Sequence, residues 1–142
     1  MHKPLDTEAD GPLFGRAIER REDLRFLTGR GTYTDDIKQP GMVQAVVVRS
    51  SIAHARIRSI DVEAARRMPG VIDVITFADI AETARPIPVR LAKLPGRFTE
   101  FFQMPLAGDK VRYVGEPVAV IVAEDAYLAE DAAELVVVDY EG

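Results

Sequence analysis

The sequence predicts an α+β domain of short strands and shorter helices, and three observations carry that expectation. Residues 49–76, RSSIAHARIRSIDVEAARRMPGVIDVIT, form one unit in which strand, Ser-Ser turn, strand, short helix and strand follow without a gap. The second half, from Val111 to Tyr140, repeats that order: IDVEAARRMPGVIDVIT runs loosely parallel to AEDAYLAEDAAELVVVD. Neither half sets reactive side chains at a spacing that chemistry requires. Both halves therefore read strand–strand–helix–strand, a pattern that duplication or shared physical demands explain equally well.

The elements follow in order. Residues 1–13 are polar with Pro and Gly and read as a poorly ordered leader, and residues 14–142 as one domain. Glu22 to Leu27 can form a turn or two of helix, ended by Gly29 and Gly31. Asp35-Asp36 and Gln39-Pro40-Gly41 are turn chemistry. Residues 42–49 are nearly all apolar, with Val43, Ala45 and Val47 on one face and Gln44, Val46 and Val48 on the other. Two buried faces imply an interior strand. Residues 54–60 alternate, setting Ala55, Ile57 and Ser59 against Arg56, Arg58 and Ile60.

Asp61 can accept hydrogen bonds from the free N–H groups of a short helix, which Pro69-Gly70 ends. A helix this short needs packing on a sheet to persist. Strands are expected at 71–77, 111–114, 118–123 and 136–140. Gly115-Glu116-Pro117 reads as a turn, and Asp125 as the N-cap of a helix over 126–134. The connection 81–110 is long for a compact domain and carries Pro86, Pro88, Pro95 and Pro105. It also clusters Phe98, Phe101, Phe102 and Met104, an apolar group that suits a partner interface.

Composition narrows the function. The chain has 142 residues, 47% apolar and 29% charged, enough for one domain with a real core. Its net charge of −5 argues against a nucleic-acid surface. There is no cysteine, so disulfides, thiolate catalysis and cysteine-ligated zinc or iron–sulfur clusters are excluded for this chain, which fits a cytoplasmic protein. The start has no apolar run and does not read as a signal peptide. The longest apolar run, 117–123, is too short to span a membrane.

Candidate sites are weak. His54 lacks a second ligand on its element and reads as a cap or a core hydrogen-bonding group. Adjacent Asp35 and Asp36 point apart, which favours a turn in which one accepts backbone N–H bonds. A metal-dependent hydrolase using Asp35, Asp36 and His54 is the least supported reading. Glu130, Asp131 and Glu134 read as a solvated helix face. Gly29-Arg30-Gly31 does not make a phosphate loop. Ser50-Ser51 sits in no nucleophile elbow and reads as a turn. No residue is assigned as catalytic, cofactor-binding or metal-binding.

The motifs RREDLRFLTGRGTYTDD, PGM, RSSIAHARIRSIDVEAARRMPGVIDVIT, DKVRYVGEPVAVIVAED and AAELVVVDYE resemble the start of molybdenum hydroxylase large subunits. This family includes xanthine dehydrogenase, aldehyde oxidase and aerobic carbon monoxide dehydrogenase, and the Arg20–Asp23 and Arg25-Phe26 pattern is most similar to the last branch. The resemblance runs over about residues 14–142. It implies an α/β hammerhead domain, a mixed sheet with short packed helices, at the N-terminus of an incomplete molybdopterin-binding subunit. It also implies a structural and assembly role. The implied partners are the rest of that subunit, an FAD-binding medium subunit and a small subunit with 2Fe–2S clusters. Molybdopterin cofactor, clusters and FAD would serve the full enzyme, an oxidoreductase, and this chain alone would bind none of them. A stand-alone binding or protein-interaction module using the 81–110 loop is the alternative.

Overall fold

The computed structural model describes residues 20, 22–88 and 102–141. The expected leader and residues 89–101, with Phe98 and Phe101, lie outside them. Internal contacts divide the chain into two units, Met1–Gln39 and Pro40–Gly142.

In the first unit, helix α1 spans Asp23–Leu27, and a 3-10 turn spans Thr34–Asp36. Gly29 ends α1 with φ +69°. Its N–H donates to the Phe26 carbonyl, and the Arg30 N–H to the Arg25 carbonyl, the paired bonds of a glycine-terminated helix. Phe26 stacks on Tyr33 with centroids 5.7 Å apart. Gly31 permits this, since a Cβ there would lie 2.6 Å from the Phe26 ring.

The second unit carries strands β1 Gln44–Arg49, β2 Ala55–Asp61, β3 Val71–Thr76, β4 Lys110–Val111, β5 Pro117–Ala123 and β6 Val137–Glu141. Its helices are α2 Glu63–Arg66, α3 Phe77–Ile80 and α4 Ala126–Glu134. The α+β class stands. The expected mixed sheet is instead two three-stranded sheets, ordered β1-β5-β3 and β4-β2-β6, with every pairing antiparallel.

The two sequence halves are interleaved. The outer strands of the first half, β1 and β3, flank β5 of the second half, and β4 and β6 flank β2 of the first. Each half thus lends its middle strand to the other half's sheet.

This arrangement corrects the reading of β1, which lies at a sheet edge. The interior strand is β5, whose Val118, Ala119, Ile121 and Ala123 are fully buried. Val46 and Val48 of β1 still face the core, while Ala45 on the other face is exposed. In β2 a register shift between Ile57 and Ser59 interrupts the expected alternation. Ile60, assigned by strict alternation to the arginine face, therefore packs on the core. The strand expected at 111–114 is the two-residue β4, because Tyr113 to Glu116 turns back, with the Glu116 N–H donating to the Tyr113 carbonyl and Gly115 at φ +91°.

Local chemistry sets the helices. The Asp61 carboxylate accepts from the Glu63 N–H at 3.0 Å, and that of Asp125 from the Leu128 N–H at 2.9 Å. The small, fully buried Ala129 and Ala132 of α4 pack with Val74 and Ile121 of the β1-β5-β3 sheet, joined by Val62 and Ala65 from the α2 region. A second cluster of Ala55, Ala107, Val111 and Val118 fills the side toward β2 and β4.

Candidate functional site

Ser50 and Glu116 are the buried polar residues among those described, 3% and 2% exposed. They meet where the chain leaves β1 and enters β5. The Ser50 N–H donates to the Glu116 carbonyl at 2.9 Å, and the Gly115 N–H to the Ser50 carbonyl at 2.8 Å. Arg49 adds a bond from Nη1 to the Gly115 carbonyl, also 2.9 Å. The Ser50 hydroxyl donates to the Ile52 carbonyl and accepts from the Ile52 N–H, which closes the turn expected of Ser50-Ser51.

The Glu116 carboxylate points back along its own loop. It accepts a short hydrogen bond from the Arg112 N–H, and its other oxygen lies 3.4 Å from Arg112 Nη1. Arg112 is itself held by its bond to the Lys110 carbonyl and lies 3.6 Å from Asp109. A buried carboxylate is tolerated when it accepts charge-assisted bonds of this kind. Both Glu116 oxygens and both functions of the Ser50 hydroxyl are thus engaged within the protein. No buried side-chain polar atom among the described residues lacks a partner. The junction fastens two turns together, with the buried Ser50 hydroxyl and Glu116 carboxylate already bonded within the protein. A pterin or a metal cluster does not fit it: the polar groups are already bonded and the chain has no thiolate.

The residues singled out in the sequence take separate local roles. Asp36 accepts from the Tyr33 N–H at 2.9 Å, the turn role expected of the Asp35-Asp36 pair. His54 is exposed in the bend before β2, so the core hydrogen bond is not its role, and its neighbour Ala55 is the buried residue. It borders a shallow depression with Arg56 and Glu141. Glu130, Asp131 and Glu134 are exposed on α4. No group of three His, Cys, Asp or Glu side chains that could hold a metal occurs among the described residues. No described helix is long and apolar enough to cross a membrane.

Of the expected interface residues, Phe102 and Met104 are half-buried, while Phe98 and Phe101 lie outside the described residues. Between the first two, the Gln103 carbonyl accepts from the Ile87 N–H at 2.8 Å, and its amide oxygen lies 3.3 Å from the Tyr113 hydroxyl. Sequence reasoning missed Glu116, which it read as a turn residue. A carboxylate between Gly115 and Pro117 at the mouth of an apolar run was the available signal.

Among the described residues, one carboxyl has a clearly displaced pKa. Asp79 is held below the ordinary value of 3.8, first by the Thr76 N–H, then by the Thr76 hydroxyl, with Arg66 adding to the effect and burial opposing it. Both Thr76 bonds are 2.7 Å.

The family model for the aldehyde oxidase and xanthine dehydrogenase a/b hammerhead domain matches residues 28–142. The chain is 44% identical over 141 residues to the carbon monoxide dehydrogenase large chain of Afipia carboxidovorans, covering 98% of this chain and 17% of that one. It is 47% identical over 130 residues to the nicotine 6-hydroxylase large subunit of Paenarthrobacter nicotinovorans, covering 91% of this chain and 16% of that protein. The chain thus spans about a sixth of the length of these relatives. Among solved structures, the aldehyde oxidoreductase of Desulfovibrio desulfuricans superposes with a TM-score of 0.79 at 27% identity, over 94% of this chain and 15% of that one. Quinoline 2-oxidoreductase of Pseudomonas putida gives 0.76 at 44% identity, over 89% and 16%. The sequence motifs, the paired sheets and these likenesses agree: the chain belongs to the aldehyde oxidase and xanthine dehydrogenase a/b hammerhead domain family.

Proposed function

We propose that this chain is the N-terminal structural and assembly domain of a molybdenum hydroxylase large subunit and does no chemistry by itself. The observation that carries the reading is the family match over 28–142 together with 44% identity to a large chain six times its length. The Ser50–Glu116 junction supports it, because the buried polar groups there hold loops in place. The assembled enzyme is an oxidoreductase. Its molybdopterin cofactor sits on the remainder of the large subunit, and its FAD and iron–sulfur clusters sit on medium and small subunits. Phe102 and Met104, with Phe98 and Phe101, contribute to the surface that meets those partners.

Copurification from the native host tests this. Mass spectrometry of the tagged chain is expected to identify a molybdopterin-binding polypeptide together with flavin- and cluster-carrying ones. Recovery of the chain alone would overturn the reading. The purified 142-residue chain is expected to show no oxidation of purines, aldehydes or carbon monoxide with an artificial acceptor, and turnover there would equally overturn it.

A further inference from the structure

We propose that Arg66, Asp73 and Asp79 form an edge lock on β3, which closes that side of the β1-β5-β3 sheet to strand addition and keeps a second copy of this chain from pairing there. The proposal stands apart from the redox reading above. It rests on which backbone groups of β3 face outward and on what holds each of them.

The phase of the ladder follows from its first bond. The Glu124 N–H donates to the Gly70 carbonyl at 2.9 Å, one step before Ala123 falls opposite Val71. In an antiparallel sheet the backbone groups of a middle strand turn to one neighbour and then the other at alternate residues. Val122 and Val120 of β5 therefore turn to β3 as Glu124 does, and their partners are Asp73 and Ile75. The N–H and carbonyl groups of Val74 and Thr76 are left facing the outer edge.

Side chains of this same chain take those outward groups. The Val74 N–H donates to the Asp73 carboxylate at 2.7 Å, and the Val74 carbonyl accepts from Arg66 Nη2 at 2.8 Å. The Thr76 N–H donates to the Asp79 carboxylate, also at 2.7 Å. Val74 is fully buried, so these partners stand in place of water. Arg66 is steadied in turn, with Nη2 3.6 Å from Asp79 and Nη1 3.9 Å from Glu63. One guanidinium from α2 thus joins the middle of β3 to the start of α3.

This edge needs such a device. Five of the six residues of β3, VIDVIT, are β-branched, and Ile72 is 56% exposed. An open edge of that composition templates further strands. With the lock in place, an incoming strand has to break three charge-assisted bonds before it makes its own.

Sedimentation velocity over a concentration series tests this with the intact chain. R66M keeps the length of the side chain and removes its donors. R67M makes the same change of charge one residue later, at a side chain that is 77% exposed. Wild type and R67M are expected to sediment alike. R66M is expected to self-associate about tenfold more tightly or better, because its Val74 carbonyl is left open to another chain. Hydrogen exchange over residues 71–76 of R66M should slow as its concentration rises, which locates the contact on β3. R66K, which restores a donor, should move back toward wild type. A further readout needs no variant: in wild type the outward amides of Val74 and Thr76 are expected to exchange about 100-fold or more slowly than in an unstructured peptide. An R66M that sediments as wild type does would overturn the proposal. So would an R67M that associates as strongly as R66M, or free exchange at the Val74 and Thr76 amides.

Discussion

Glu116 shows how one side chain can decide a loop. Its carboxylate is almost wholly buried, and the bonds it accepts come from the backbone and side chain of a residue four positions earlier. Removing it leaves the Arg112 N–H without its acceptor and opens a cavity, which together cost about 2–4 kcal/mol. Replacing it by glutamine keeps one oxygen but loses the charge assistance, at about 1–2 kcal/mol. Urea unfolding is therefore expected to rank wild type above E116Q and E116Q above E116A. Equal midpoints for the three would show that the carboxylate does not fasten the turn. Gly70 is a different kind of constraint: at φ +87° its missing Cβ leaves room for Leu128, whose methyl carbon would lie 2.5 Å away.

At the scale of elements, β3 and α3 meet in a reciprocal cap in which Thr76 and Asp79 bond each other. Because the Asp79 pKa is lower in the folded chain than in the unfolded one, its stabilising effect is complete above the unfolded value. That effect fades as pH falls through the folded value. Wild type is therefore expected to lose stability below about pH 4 more steeply than D79N. D79N should be the less stable near neutral pH, and the two should converge in acid. Thermal melts across pH 2–7 check this, and parallel curves would exclude the cap as their cause.

The elements were also the most legible part of the sequence. The Asp61, Pro69-Gly70 and Asp125 signals and the apolar run of β5 act within a few residues of themselves, and the structure puts them close to where the sequence does. What stayed hidden depends on distant residues. β1 and β5 are both apolar on two faces, and nothing local says which lies inside. The shift at Arg58 depends on β6, which lies some 80 positions later. The cluster of Phe98, Phe101, Phe102 and Met104 is plain in the sequence as an apolar group, and its role at an interface is a proposal. The burial of Glu116 is not plain there, because it depends on the packing of Ser50 from the other half of the chain.

The whole second unit is an interleaved pair of halves. Neither sheet can be completed by one half, since each needs a central strand from the other. Unfolding is therefore expected to be a single transition shared by both sheets. A protease site placed within residues 89–101 offers a test. After cleavage the two fragments are expected to co-elute and melt together. Once separated in denaturant, each should lose its β signal, and mixing should restore it. Fragments that part on a native column after cleavage would refute the interlock.

The same exchange of strands bears on the connection at 81–110. Where two lobes are held only by a tether, the tether's length sets how often they meet. Here the lobes are gripped by one another's central strands, so the connection is relieved of holding them together. It can lengthen, collect prolines and aromatic residues, and answer to whatever lies outside the domain. Closure of the two sheets thus places no demand on the connection's length, although its ends are tied into the fold at Ile87, Gln103, Leu106 and Ala107.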